Sequence, residues 1–251
     1  MTISGVQAVE RALSILAMFL DKEELNIEEV CRELKLSEST VRRLLGALEQ
    51  FSLVEKTEKK KYALGYKAFT LGMRYISRQE IVTIARPVMK RIWEECQESV
   101  YLSVISNYKR VALDIIIGQH ALAHVPAIGR PVPLHCGASS KVLLAYADQK
   151  TQKMAFQELT AFTSKTITDP EILKAELNKI RKQGYAVSFS EMHEGVMSMA
   201  TPVFDFRGEI RASLGVGMPI SRYSEELGEK IARLLVAEAK KLSEMLGHKS
   251  S

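Results

Sequence analysis

From Ser37 to Gln50 the chain reads Ser-Glu-Ser-Thr-Val-Arg-Arg-Leu-Leu-Gly-Ala-Leu-Glu-Gln. Wound as a helix, Val41, Leu44, Leu45 and Leu48 fall at i, i+3, i+4 and i+7 and share one apolar face. Ser39, Arg43, Gly46 and Gln50 point the opposite way, with Thr40 and Arg42 flanking them. A solvated face usually carries glutamate and lysine, whereas this one carries hydroxyls, two arginines, a glycine and a glutamine. Those groups suit a DNA major groove: arginine forks onto guanine O6 and N7, and glutamine pairs with adenine. Serine and threonine near a helix start meet phosphates beside the backbone N–H groups. Gly46 costs about 1 kcal/mol against alanine, which close approach to another backbone, of protein or DNA, would offset. Taken alone, the helix also reads as a plain surface helix.

Lys59, Lys60 and Lys61 lie at the tip of a short polar turn and read as a wing on phosphates. A soluble turn explains three lysines nearly as well on its own, and it is the conjunction with the preceding helices that favours DNA. The charge is polarised. Residues 35–78 hold ten Lys and Arg against four Glu, whereas residues 21–34 hold two basic and six acidic residues. A partner protein in place of DNA is disfavoured by Arg42, Arg43 and the lysine turn, and steep salt dependence would separate the two.

A second group invites catalytic or metal chemistry: His135, Cys136, Ser139, Ser140 and His193. A nucleophile and base are conceivable there. No Gly-x-Ser-x-Gly elbow and no acid at a telling spacing accompany them, so the expectation is that the chain is not an enzyme. His135, Cys136 and His193 match no usual zinc spacing, and neither a metal nor a cofactor is expected.

The elements that must position these groups follow from periodicity and caps. A stripe over 6–20 built on Val9, Leu13, Leu16 and Leu20, with Ala12, Ile15 and Phe19 beside it, predicts a first helix. Asn26 caps a second over 27–34, and Ser37 caps the third. Strands at 53–56 and 62–64 form a hairpin, followed by a helix over 66–77. That order is a winged helix-turn-helix, expected over residues 1–78, with residues 79–251 as a larger domain. There, Ile81 to Cys96 reads as a helix kinked or restarted at Pro87, with Trp93 in the core. Strands are expected at 100–105, 110–117, 120–125, 185–190, 197–204 and 210–216, with helices from about Ser139, after the Asp169-Pro170 cap, and from Ser224 to about Leu246. The fold class is α+β, the second domain a mainly antiparallel sheet with helices before, within and after it.

The chain has 251 residues, 46% hydrophobic and 26% charged, with a formal net charge of +5. The mild basicity permits nucleic acid without requiring it. Three cysteines without close spacing argue against a disulfide framework. No apolar run approaches the roughly 20 residues of a membrane span, and the N-terminus lacks a signal-peptide order. A cytoplasmic protein with no membrane partner is expected.

Ala8-Val9-Glu10-Arg11-Ala12-Leu13-Ser14-Ile15-Leu16 resembles the opening helix of the IclR family of bacterial regulators. Leu36-Ser37-Glu38-Ser39-Thr40-Val41-Arg42-Arg43-Leu44-Leu45 resembles its recognition helix, and Tyr62-Ala63-Leu64-Gly65 the end of its wing. The likeness continues, in order, through Pro133-Leu134-His135-Cys136-Gly137-Ala138-Ser139-Ser140-Lys141, Thr166-Ile167-Thr168-Asp169, Gly184-Tyr185-Ala186-Val187, Glu194-Gly195 and Ala200-Thr201-Pro202-Val203. It implies a GAF-like effector domain, a homodimer or dimer of dimers, double-stranded operator DNA as partner and a small organic acid as effector. A repressor is expected, with an activator of a catabolic operon as the alternative.

The resemblance assigns the effector to Ala138 and Ser139, Ser188, Ser198, Gly215 and Gly217. A helix beginning at Ala138 and Ser139 offers unpaired N–H groups to a carboxylate, although Ser139 and water alone would also satisfy it. Relatives binding small keto acids are expected to carry an acid, a thiol and hydroxyls at the last four positions, where this chain has two serines and two glycines. The glycines would leave room for a larger or less polar acid, aromatic or branched, with Val132 and Val196 lining its apolar part and His124 reaching in.

Overall fold

The computed structural model describes residues 6–249. The outer ends of the two expected domains, residues 1 and 251, lie outside the described residues. The chain divides into two compact units, 1–79 and 80–251.

The first unit runs α1 (Gln7–Met18), α2 (Ile27–Leu34), α3 (Glu38–Gln50), β1 (Val54–Lys56), β2 (Tyr62–Leu64) and α4 (Tyr66–Ser77). Asn26 opens α2 with a capping box: its side chain accepts from the Glu29 amide and the Glu29 carboxylate accepts from the Asn26 amide. Lys35 turns left-handed (φ 53°) to end α2, and the Ser37 hydroxyl caps α3. Ile15, Leu25, Val30, Val41, Leu45 and Val54 form the core. Leu25 bridges Tyr62, adding a third short strand segment to the hairpin. The buried side of α1 is Ile15 and Phe19, whereas Val9, Leu13 and Leu20 stay exposed. Helix α4 buries nothing and leaves Tyr66, Phe69, Leu71, Met73 and Tyr75 exposed.

The second unit runs α5 (Glu80–Cys96), β3 (Ser99–Ser106), β4 (Lys109–Ile116), β5 (Pro131–Val132), α6 (Ala138–Tyr146), α7 (Gln149–Ala155), α8 (Pro170–Gln183), β6 (Ala186–Phe189), β7 (Val196–Phe204), β8 (Ile210–Pro219), a 3-10 turn (Ile220–Arg222) and α9 (Glu225–Met245). Its strands pair antiparallel in the order β5-β4-β3-β8-β7-β6. Residues directly opposite share a face. Tyr101, Gly215, Ala200 and Ala186 therefore line one face, over which α6 and α8 pack. Val100, Val216 and Met199 lie on the other, covered by α5 and α9. The Arg91–Glu238 ion pair at 2.8 Å ties α5 to α9.

Four expectations change. Residues 120–125 form no strand, because Pro131–Val132 takes the edge of β4 opposite Arg110 and Val111. Leu122 and Val125 consequently stay exposed. Helix α5 does not restart at Pro87 but runs through it, and Thr83, whose carbonyl loses its donor, lies with Pro87 on the exposed side. Trp93 is half-buried, its indole N–H donating to the Ile117 carbonyl at 2.9 Å. Helix α7, capped by Asp148 on the Thr151 amide, was not anticipated; it is one short turn pair with a single buried residue, Thr151.

Gly65 joins the hairpin to α4, and a Cβ there would lie 2.4 Å from the Ser52 carbonyl oxygen. Gly65→Ala is expected to destabilise the first unit by about 1–3 kcal/mol. Thermal unfolding checks it: an unchanged Tm would mean that the Ser52 turn yields without cost.

Candidate nucleic-acid interface and ligand cavity

Helix α3 is held by its buried Val41, Leu44, Leu45 and Leu48, so its other side is presented to solvent. Ser39, Arg42, Arg43, Gly46 and Gln50 are exposed and Thr40 is half-buried. The hydroxyls bond one another at the helix start, with Ser37 Oγ 3.2 Å from Ser39 Oγ and 2.9 Å from Thr40 Oγ1. Arg42 donates through Nε and Nη2 to Glu38 at 2.8 and 2.6 Å. Arg43 makes no such pairing among the described residues, which leaves its guanidinium free to fork onto a base. Lys60 turns left-handed (φ 58°) at the hairpin tip and shares a groove with Arg42, Arg32 and Glu38. Lys59 is exposed beside it. Lys61 is not at the tip: it leans back to Glu24, 3.4 Å away.

In the second unit a cavity of about 410 Å3 lies against the open end of α6. The structure brings Ala138, Ser139, Ser188, Ser198, Val196, Val132 and His124 to its wall. Ser188 and Ser198 face each other across β6 and β7, which explains why two distant strands contribute adjacent hydroxyls. Gly215 and Gly217 do not line the cavity, and their missing side chains do not enlarge it. A Cβ on Gly215 would meet Tyr101 Cε2 at 2.7 Å and Ser139 Oγ at 2.8 Å, and one on Gly217 would meet His124 Cδ2 at 2.6 Å. The glycines leave room for the Tyr101 and His124 rings.

Helix α6 begins at Gly137, whose backbone (φ 83°, ψ 150°) is open essentially to glycine alone. Its amide donates to Glu191 Oε2 at 3.0 Å, and the Ala138 amide to Ser198 Oγ at 3.4 Å. Glu191 is in turn gripped by Lys141, a lysine buried inside α6, at 2.6 Å. The Lys141 ammonium also donates to Glu176 at 2.8 Å and to the Val187 carbonyl at 3.1 Å. The Ser139 hydroxyl is buried without a partner.

The sequence reasoning missed Tyr101, Arg110, Phe162 and Glu191, all of which line the cavity. The alternation of Tyr101 and Ser103 with Val100, Leu102 and Val104 was a signal for the first. Nothing local could reveal Glu191, whose partner lies fifty residues earlier. As for catalysis, burial first and then Glu191 push the Cys136 thiol up to about 12, so it stays protonated and is no nucleophile. The His135 ring sits 2.9 Å from the Thr160 carbonyl, and no cluster of three metal-binding side chains occurs among the described residues. No helix of the described residues is long and apolar enough to cross a membrane.

Residues 8–58 match the IclR helix-turn-helix domain, and residues 73–244 match the bacterial transcriptional regulator IclR C-terminal family. The chain is 31% identical over 247 residues to the HTH-type transcriptional regulator KdgR of Escherichia coli (strain K12), covering 97% of this chain and 94% of that one. It is similar to the crystal structure of the Thermotoga maritima IclR (TM-score 0.80, 30% identity, covering 97% of this chain and 100% of that one). It also shares its fold with an IclR homolog from Microbacterium hydrocarbonoxydans complexed with 4-hydroxybenzoate (TM-score 0.81, 21% identity, covering 95% and 99%). The relatives are transcriptional regulators, and the enzyme reading falls with them: the chain is not an enzyme.

Burial, with His193 and Arg110 nearby, lowers the His124 pKa from 6.5 to about 4. The unfolded chain therefore takes up a proton that the folded one refuses. Stability is fully present above about pH 6.5 and declines as the pH falls towards about 4. Chemical denaturation across this range should show a shallower decline in His124→Gln; an identical slope would place the protonation elsewhere.

Proposed function

The chain belongs to the IclR family of bacterial transcriptional regulators, and from that premise we propose that it is a cytoplasmic repressor whose grip on operator DNA is set by a small organic carboxylate. The observation that carries this reading is a pairing within one chain. One unit presents an exposed face of arginine, glutamine and hydroxyls on α3, and the other encloses a cavity of about 410 Å3 lined by serines, a helix start and apolar side chains.

In this reading Arg43 and Gln50 read base edges, Ser39, Thr40 and Arg42 fix the register of the helix, and Lys59, Lys60 and Lys61 meet phosphates. Arg42 exchanges Glu38 for DNA as it docks. The effector lies among Ala138, Ser139, Ser188, Ser198, Val132, Val196 and His124. A cavity of this size, within the range of about 300–1,000 Å3 usual for small-molecule sites, suits an acid larger than a two- or three-carbon one. That replaces the glycine argument as the reason for a larger ligand.

The exposed apolar side chains of α1 (Val9, Leu13) and of α4 (Phe69, Leu71, Met73) support self-association as a homodimer or dimer of dimers. Two DNA-reading heads then bind repeated half-sites. The effector acts by linkage, binding one arrangement of the oligomer better and so altering the spacing of the heads, with residues 74–87 as the lever.

Fluorescence anisotropy of a labelled fragment from upstream of its own gene, with and without a carboxylate panel, tests the whole reading. Salt-sensitive, competitor-resistant binding that an acid alters is expected; operator affinity unmoved by every acid would remove the effector arm. Arg43→Ala should weaken the operator complex by about 1–3 kcal/mol and relax base preference. Lys60→Ala should weaken all DNA nearly alike and flatten the salt slope by about one. Equal loss of specificity in both variants would contradict the division between helix and wing.

A further inference from the structure

Among the described residues, every buried charge of the second unit but one has an oppositely charged partner. Glu98 is held by Arg222 through two hydrogen bonds of 2.6 and 2.7 Å. Glu238 is held by Arg91 and Lys241. Lys141 is held by Glu176 and Glu191. Arg110 is the exception. It is the second residue of β4 and is buried, with a relative exposure of 9%. It donates to the neutral Ser103 hydroxyl at 3.2 Å, and no carboxylate lies within ion-pair distance of it among the described residues.

A guanidinium does not shed its proton to escape such a site. Burial disfavours its charge, and none of Tyr101, Cys136 and His124, ionisable groups close to it, brings an anion there at neutral pH. An uncompensated buried charge is costly, and proteins pair it or do without it. Arg110 lines the cavity, so the missing partner has a place to sit.

The far wall of the same cavity is differently equipped. The start of α6 would ordinarily draw an anion, but Glu191 already occupies the Gly137 amide. A second carboxylate there would meet that charge. What remains is a set of neutral groups: the unpartnered, buried Ser139 hydroxyl and the Ser198 hydroxyl on its long contact with the Ala138 amide. Donors and acceptors of this kind suit a hydroxyl or a carbonyl oxygen.

We infer that Arg110 holds the anionic group of the effector, while Ser139 and Ser198 receive a neutral oxygen of the same molecule. The ligand class is an oxygenated monocarboxylate, a hydroxy- or oxo-acid, and Arg110 is the residue that selects for the charge. The inference rests on the reading of this cavity as the effector site, and moves the carboxylate from the helix start to the strand arginine.

The test uses the full chain and two readouts, thermal melting and operator anisotropy. The probes are gluconate, mandelate and 4-hydroxybenzoate, each beside its uncharged amide. At least one acid is expected to raise the Tm or alter operator affinity of the unmodified protein, with its amide inactive. Arg110→Met should weaken that response about 10- to 100-fold, and Arg110→Lys, which keeps the charge, should recover part of it. Without ligand, Arg110→Met should melt at or above the unmodified protein, since an unpaired charge has been removed. A markedly lower Tm would make Arg110 a structural residue and overturn the inference. So would an Arg110→Met protein that answers the acid as the unmodified one does, or an amide as effective as its acid; in both, the effector reading survives. If no probe of either kind moves either readout in the unmodified protein, the effector reading falls and Arg110 with it.

Discussion

The ligand cavity depends on a charge pair that water hardly reaches. Lys141 projects from α6 into the protein and spends its three donors on Glu191, Glu176 and the Val187 carbonyl. The second oxygen of Glu191 takes the Gly137 amide. Helix, strand end and connecting turn are thereby pinned to one another through one carboxylate. Stranding either charge by removing its partner typically costs about 3–5 kcal/mol, so the arrangement tolerates the loss of neither. The turn is fixed from outside as well. Thr163 Oγ1 donates to the Ser190 carbonyl and Thr166 Oγ1 to the Glu191 carbonyl, each at 2.6 Å.

From that anchor the rest of the cavity follows. With α6 held at its start, Ser139 sits directly over the sheet, and only a glycine at 215 leaves space for it and for the Tyr101 ring. Tyr101 then walls the cavity from below, with its hydroxyl 3.4 Å from the Val216 carbonyl. The sheet thus has two characters. The face towards α5 and α9 is close-packed aliphatic, built from residues such as Leu102, Leu214, Val216 and Met199. The face towards α6 carries small residues, among them Gly215, Ala200, Ala186, Ser188 and Ser198, beside Tyr101, a composition that packs against a helix in one half and leaves a polar hollow in the other. In the first unit the small core serves to hold α3 with one side bare.

The sequence disclosed different parts of this to different degrees. The helix-turn-helix was legible because its signals are local: the Asn26 and Ser37 caps, the i, i+3, i+4, i+7 stripe of α3 and the polar hairpin are each complete within a dozen residues. The long strands and α8 were legible for the same reason. Residues 120–125 misled because their alternation suits a strand, while the choice of strand at the β4 edge is made by Pro131 and Val132, through pairing that no local pattern encodes. The cavity wall was legible where a helix start or a serine carried it, and illegible where pairing decided. Arg110 resembles any polar residue near the start of a strand, and its isolation is visible only when every neighbour has been placed. Gly215 and Gly217 were misjudged because a sequence shows which side chain is missing, not which neighbour moves into the space.

The register of the large sheet also bears on how the polypeptide reaches this state. Strand β3 is hydrogen-bonded on one side to β4, its immediate successor, and on the other to β8, the last strand made. The helix-turn-helix closes on contacts between neighbours and can form while synthesis continues. The second unit cannot close its sheet until β8 has been made, and until then the edge of β3 lacks its partner and the apolar side of α5 lacks α9. A nascent chain therefore completes its helix-turn-helix before it completes the sheet that walls the cavity.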